Sequence, residues 1–260
     1  MKSQPKISII TVVFNGIDFI EQTIESVINQ TYLQIEYIII DGKSNDGTVD
    51  IIKKYENKIA FWTSEKDNGI YDAMNKSLKK ATGDFVLFLN AGDILYSNNT
   101  LKQIPFNKNP DADIFYGETV IIDDTGKELG LRRKILPQDL NWKHYKKGMV
   151  VCHQSILVKR NIAPFYNIRY KLSADVEWVI RALKESKKAV FTNTIITKFL
   201  NDGVSRKQQK LSLKERFLIL KKYFGLPQTI ISHAGFFIEN IAIKAGIKPT
   251  FRENTFMRNK

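Results

Sequence analysis

Apolar residues in the first hundred positions follow two alternating rhythms. Short, predominantly apolar runs at 7–14, 35–40, 59–63 and 85–89, the last uninterrupted, are separated by stretches in which apolar positions recur every three or four residues. Such runs bounded by turn residues predict inner strands of a parallel sheet, buried on both faces. The stretches between them predict amphipathic helices over 18–30, where Ile20, Ile24, Val27 and Ile28 share a face, over 48–55, and from Asn68-Gly69 to Ala81. Thr82-Gly83 ends the third helix before the fourth strand begins. This order implies right-handed crossovers and an α/β fold, a mostly parallel sheet flanked by helices.

The rhythm changes after residue 100. Residues 114–116 and then 118–131, turning at Asp124-Thr125-Gly126, predict a strand and a hairpin. A further strand region is expected over 149–158, and a helix over 173–185 with Ser173 as its cap. Leu213, Phe217, Leu220 and Phe224 form one helical stripe, and Ile230, Ala234, Phe237 and Ile241 a second. Gly225 and Pro227 separate them, so the C-terminal segment reads as an amphipathic helical hairpin.

Composition adds an asymmetry. The 260 residues, 43% hydrophobic and 11% aromatic, suffice for one large domain or a domain with an appendage. Of a net charge of +13, residues 206–260 hold twelve Lys and Arg against three Glu, a surplus of nine. A mildly basic body thus carries a basic, surface-seeking tail that faces anionic lipid or nucleic acid. The single cysteine, Cys152, allows no intrachain disulfide and fits a reducing compartment. Residues 1–6 lack a signal-peptide core, and the most apolar stretch, 229–245, is broken by His233, Glu239, Asn240 and Lys244. A cytoplasmic protein is expected, peripheral at the inner face of the membrane.

Three predicted strands end in polar loops on one sheet edge: Phe14-Asn15, Asp41 to Gly47, and Asn90-Ala91-Gly92-Asp93. Ligands of open α/β sheets sit beyond such strand ends. The last loop closes on a lone carboxylate, an anchor for a hard divalent cation or, alternatively, a helix cap. None of the loops has the glycine spacing of a dinucleotide fingerprint or a P-loop.

Five motifs then occur in order: Ser8-Ile-Ile-Thr-Val-Val-Phe-Asn15, Ile40-Asp-Gly-Lys-Ser-Asn-Asp-Gly-Thr48, Asp67-Asn-Gly-Ile-Tyr-Asp-Ala-Met-Asn75, Ala81-Thr-Gly-Asp84 and Phe88-Leu-Asn-Ala-Gly-Asp93. Together they resemble the family 2 glycosyltransferases of the GT-A fold, and most of all the bacterial enzymes that build O-antigen and other surface-polysaccharide repeat units. The resemblance covers about residues 5–205. It implies a nucleotide-sugar half over 1–100 and an acceptor half over 101–205; the basic, amphipathic helical extension over 206–260 lies beyond it.

The resemblance also implies roles. Phe14 takes the position that packs near the donor's uracil, with Asn15 beside it, and Asp41 begins the nucleoside-contacting acidic pair, whose second member is Gly42 here. Asp67, Asp72 and Asn75 match the segment along the donor diphosphate. Asn90 to Asp93 stands in place of the DxD metal motif, so that Asp93 is the expected ligand of Mn²⁺ or Mg²⁺, with Asn90 on the donor. A nucleotide site that uses no metal is the alternative.

Lys171-Leu-Ser-Ala-Asp175-Val-Glu-Trp178 resembles the catalytic segment, with Asp175 as general base and Glu177 facing elsewhere. A first-turn acid favoured by the helix dipole is the plainer reading of Asp175. His153 and Gln154 are candidates for contact with donor sugar or acceptor, or a satisfied structural pair, and Cys152 reads as a core hydrophobe. Asp202, in Asn201-Asp202-Gly203-Val204-Ser205, is a candidate late metal ligand or a plain turn residue.

The expectation is an inverting transfer of a hexose from a nucleotide sugar, UDP-linked, to a saccharide acceptor on polyprenyl diphosphate. A sugar-nucleotide pyrophosphorylase would need a Gly-rich basic loop after strand 1, and Phe14-Asn15-Gly16-Ile17-Asp18 is not that. A nucleic-acid-binding module would leave the sheet-edge acids unexplained, so no nucleic-acid partner is expected.

Overall fold

A computed structural model describes residues 4–201, 208–254 and 256. The four apolar runs become β1 (Ile7–Val13), β2 (Ile35–Asp41), β3 (Phe61–Ser64) and β4 (Phe85–Phe88), a parallel block in the order β3-β2-β1-β4. Helices α1 (Ile17–Ile28), α2 (Thr48–Lys54) and α3 (Ile70–Lys80) make the crossovers. Both faces of β1, β2 and β4 are buried, which is why these strands show no polar alternation, whereas the edge strand β3 is only half-buried. Ile10, Val12, Ile38, Ile40 and Val86 face the layer of α3, while Ile9, Val13, Ile39, Phe85 and Leu87 face that of α1 and α2.

Beyond β4 the sheet becomes mixed. It continues through β8 (Ile156–Lys159), β6 (Ile114–Ile122), β9 (Ala189–Leu200) and β5 (Ile94–Leu95), with β7 (Glu128–Leu131) hairpinned onto β6. β8 runs antiparallel to β4 and to β6, whereas β6 and β9 are parallel. The expected strand at 114–116 and first arm of the hairpin are one strand that bends at Gly117. A Cβ there would lie 2.6 Å from the Thr194 carbonyl oxygen, so the residue lets β9 approach across a register shift. The strand region expected at 149–158 shrinks to β8, because His153–Ser155 form a 3₁₀ turn instead.

Helix α4 (Ala174–Glu185) follows, but Ser173 does not cap it with its side chain. Its hydroxyl lies 3.2 Å from both the carbonyl oxygen and the hydroxyl of Ser212. Helix α5 (Gln209–Lys244) is broken at Gly225 (φ 78°, ψ 165°). The two limbs fold back on each other, bringing the Phe217 and His233 rings to 5.1 Å across the break. The first limb buries Ile219 and Leu220, Ile219 within the main core, and stacks Phe224 on Trp142 at 5.4 Å. The second limb leaves Ile230, Phe237, Ile238 and Ile241 more than half exposed.

Candidate active site

Parallel register brings the ends of β1, β2 and β4 to one edge. Phe14 leaves β1 with 65% of its surface exposed. Asn15, in the left-handed region at φ 49°, ties the β1 and β2 loops together: its amide donates to Ser44 Oγ at 2.7 Å, and its Oδ1 accepts from the Asn45 amide at 3.0 Å. Asp41 is fully buried, and its carboxylate accepts from the Ser44 amide (2.9 Å), Ser44 Oγ (2.5 Å) and Ser64 Oγ (2.6 Å). It shapes the loop from below. Gly42 explains the missing second acid, since a Cβ there would sit 2.6 Å from Asp67 Oδ2. Asp67 therefore brings a carboxylate into the space a side chain at 42 would fill. Asp72 Oδ2 accepts from the Asn68 amide at 3.0 Å and closes the first turn of α3. Asn75 is committed elsewhere: its Nδ2 donates to the Tyr166 carbonyl (2.9 Å) and its Oδ1 accepts from the Tyr166 amide (2.7 Å), which fastens that loop.

The loop after β4 departs from expectation. Asp93 is 4% exposed, with Oδ2 accepting from Gln154 Nε2 at 2.9 Å and Oδ1 from the Leu200 amide at 3.1 Å. Burial pushes its carboxyl up to about 7, against the opposing pull of those two hydrogen bonds. Asp93 thus pins β9 and the 153–155 turn to the loop and does not present itself at the edge as a metal ligand. At Gly92 (φ 96°), a Cβ would lie 2.8 Å from Leu200 Cδ2, so Leu200 packs where an acidic side chain would stand. Among the described residues, no three His, Cys, Asp or Glu side chains converge as a metal-holding group, and Asp202 lies outside them. Asn90 Oδ1, by contrast, is buried without a partner. This donor set fits a cation held chiefly by ligand oxygens, with Asn90 as its amide contact.

Asp175 sits in the first turn of α4, its side chain 20% exposed. Its Oδ1 accepts from the Tyr71 hydroxyl at 3.3 Å, and its Oδ2 lies 3.5 Å from His153 Nδ1. Burial opposes its ionisation, but the hydrogen bond with His153 and the electrostatic pull of His153 and the Arg216 guanidinium prevail and hold the carboxyl below its ordinary range. Below it, Tyr166 stacks on Tyr71 at 5.3 Å and on Trp178 at 5.3 Å, while Phe88 meets Tyr166 edge-on at 5.2 Å. Two polar atoms around Asp175 are buried and unpartnered, His153 Nε2 and the Tyr166 hydroxyl. With Asn90 Oδ1, they are groups able to bond a polar ligand. Cys152 is buried, and its thiol is pushed up by that burial, as befits a core residue.

The model of glycosyl transferase family 2 matches residues 8–163, more than half of the chain. The chain belongs to this family. Among similar proteins, an uncharacterized glycosyltransferase of Mycobacterium tuberculosis is 31% identical over 191 residues, covering 70% of each chain. The putative teichuronic acid biosynthesis glycosyltransferase TuaG of Bacillus subtilis is 28% identical over 226 residues, covering 83% of this chain and 87% of its own. Among solved structures, S. aureus TarS in complex with UDP-GlcNAc superposes with a TM-score of 0.64 at 16% identity, over 83% of this chain and 66% of that one. The mannosyltransferase PcManGT of Pyrobaculum calidifontis, in complex with GDP-Man and Mn²⁺, gives 0.62 at 14% identity, over 96% and 78%. These structures share the GT-A fold.

In this family 2 glycosyltransferase, α5 holds the helix that carries Asp175. Glu215 is 5% exposed, and its carboxylate accepts from the amides of Lys171 (2.7 Å), Leu172 (2.9 Å) and Ser173 (3.0 Å). Two turns further along α5, Lys222 Nζ and the Tyr223 hydroxyl donate to buried Glu177 at 2.6 and 3.2 Å. Glu177 therefore faces α5 and not the site. Sequence reasoning missed Tyr71, Tyr166 and Glu215. Tyr71 stood inside a quoted motif, whereas Glu215 reads as any charge on an amphipathic helix.

Proposed function

We propose that this glycosyltransferase moves a hexose from a nucleotide sugar, UDP-linked, to a saccharide acceptor carried on polyprenyl diphosphate, with inversion, in surface-polysaccharide synthesis. The observation that carries this reading is Asp175: an ionised carboxylate at the sheet edge, held by Tyr71 and His153, beside unbonded polar atoms. The acceptor oxygen attacks the anomeric carbon as the bond to the donor diphosphate breaks, and the acceptor's proton passes to Asp175. The exposed Phe14 ring suits stacking on the base, with Asn15 and Asp67 beside it. A divalent cation carried in with the donor, met by Asn90, would neutralise charge on the leaving diphosphate.

A role in cell-surface glycans is supported by the chain's similarity to TuaG, a putative teichuronic acid biosynthesis glycosyltransferase. No helix among the described residues is long and apolar enough to cross a membrane. The bare apolar face of the second α5 limb and the nearby Lys244 and Lys248 favour reversible docking on an anionic inner leaflet. A panel of nucleotide sugars with Mn²⁺, read by thermal shift, tests the donor assignment. UDP and one UDP-hexose should raise Tm and DNA should not; protection by DNA alone would overturn it.

A further inference from the structure

Beside the loop that Glu215 holds, Arg132, Arg133 and Arg216 surround Lys134, with Glu239 against Arg133, Glu118 against Arg132 and Asp175 against Arg216. Arg132, Arg133 and Lys134 follow β7 directly, and Arg216 comes from the first limb of α5. Glu239, on the second limb, reaches Arg133 Nη2 at 3.0 Å. Arg132 donates to the carbonyls of Val150 (3.2 Å) and Met149 (3.4 Å). Lys134 Nζ donates to the Lys147 carbonyl and lies 5.6 Å from the Phe236 ring centre. Burial first and then the charge of Arg132 lower its ammonium to about 8; Arg216 and Arg133 add to this, and Glu239 opposes it.

Three nitrogens in this cluster are buried without a hydrogen-bond partner: Arg133 Nε, Arg216 Nε and His233 Nε2. Buried polar atoms are almost always bonded, and exceptions point to a missing water or ion. Water would satisfy a nitrogen but leave the four cations with Glu239 and only the shared carboxylates of Glu118 and Asp175 against them. An anion answers both, and guanidinium forks match phosphate oxygens. The surroundings narrow the choice. Arg216 is near enough to Asp175 to stabilise its charge, and the second limb of α5 carries the bare Ile230, Phe237, Ile238 and Ile241. Phe14, Asn15 and Asp67, the donor contacts, belong to the loops at the parallel block and not to this cluster.

We propose that Arg132, Arg133, Lys134 and Arg216 bind the diphosphate of the lipid that carries the acceptor, whose prenyl chain lies along the second limb of α5. The proposal rests on the lipid-linked acceptor argued above. Farnesyl diphosphate is the probe, titrated calorimetrically into the full chain, with inorganic diphosphate, UDP and phosphatidylglycerol vesicles in parallel. Arg133→Gln/Arg216→Gln should weaken farnesyl diphosphate at least about tenfold and leave UDP affinity unchanged, which also shows that the variant is folded. Lys134→Gln, a milder change, should weaken the probe about threefold. Unchanged probe affinity in both variants would overturn the proposal. Loss of UDP affinity at intact helicity would give the cluster to the donor. Inorganic diphosphate binding as tightly as the probe would make it a general phosphate site, and loss confined to vesicles would assign it to lipid headgroups. If no nucleotide sugar bound the parent protein, the functional reading would fall, while the probe titration would still read the cluster.

Discussion

At the scale of single residues, Asp175 and Asp93 show how surroundings divide two carboxylates. Asp175 keeps 20% of its side chain exposed next to His153 and Arg216, so it stays ionised and ready to take a proton. Asp175→Asn preserves shape and removes the proton acceptor, so turnover should fall by roughly 10²–10⁴. Calorimetric UDP affinity should stay near the parental value, and turnover within a few-fold of the parent would move the role to His153. Asp93 lies the other way, its carboxyl raised to about 7 by burial. A group raised in the folded state contributes stability that is complete below its unfolded value and is lost as pH rises through the folded one. The Tm of the parent should therefore fall relative to Asp93→Asn between about pH 4 and 7 and level off above. Paired thermal melts across that range check this, and parallel curves would refute it.

At the scale of elements, the first limb of α5 holds the loop before α4, the helix on which the proposed base Asp175 stands. Three amides in the loop before α4 rely on one carboxylate, and a buried group left unbonded costs about 1–3 kcal/mol. Glu215→Ala should accordingly lower stability by about 3 kcal/mol or more, measured by urea unfolding. Glu215→Gln offers one acceptor oxygen in place of two and sets its own donors against the amides. It should reduce kcat by about tenfold or more while the donor KM holds, because Asp175 is displaced and the donor edge is untouched. Equal loss in kcat and donor affinity would mean general disruption instead of positioning.

At the scale of the molecule, the two limbs of α5 divide the labour. Ile219 sits in the core, whereas Phe237 and Ile241 stand in solvent. A chain ending at Phe224 keeps the Glu215 and Glu177 contacts but loses the Glu239–Arg133 pair and the pairing of Arg252 with Leu131 and Glu118 along with the bare limb, so it should bind UDP at reduced stability. It should also lose co-sedimentation with anionic vesicles that the full chain shows. Each Lys or Arg near such a surface contributes about 1 kcal/mol, and binding should weaken as salt rises. Equal sedimentation of both chains, or indifference to lipid charge, would leave the second limb without a membrane role.

The sequence by itself determined the parallel block, the helices between its strands, the break at Gly225 and Pro227, and the motifs that mark the family. These are local: a run of apolar residues buried on both faces, or a glycine that stops a helix, acts through its neighbours in the chain. It also carried an unused signal in the β-branched run 190–199, which forms most of β9. Only the tertiary structure decided where the acids point. Asp93 is a free carboxylate in the sequence, but the Leu200 amide and Gln154, 107 and 61 residues away, take both its oxygens. Asp41 and Asn75 are likewise fasteners, since Ser64 and the Tyr166 backbone reach them first. Glu215 and the cations around Arg216 acquire meaning only when α5 folds against α4 and the segment that follows β7. Spacing along the chain gives which groups exist; hydrogen bonding across the fold decides which remain free for a ligand.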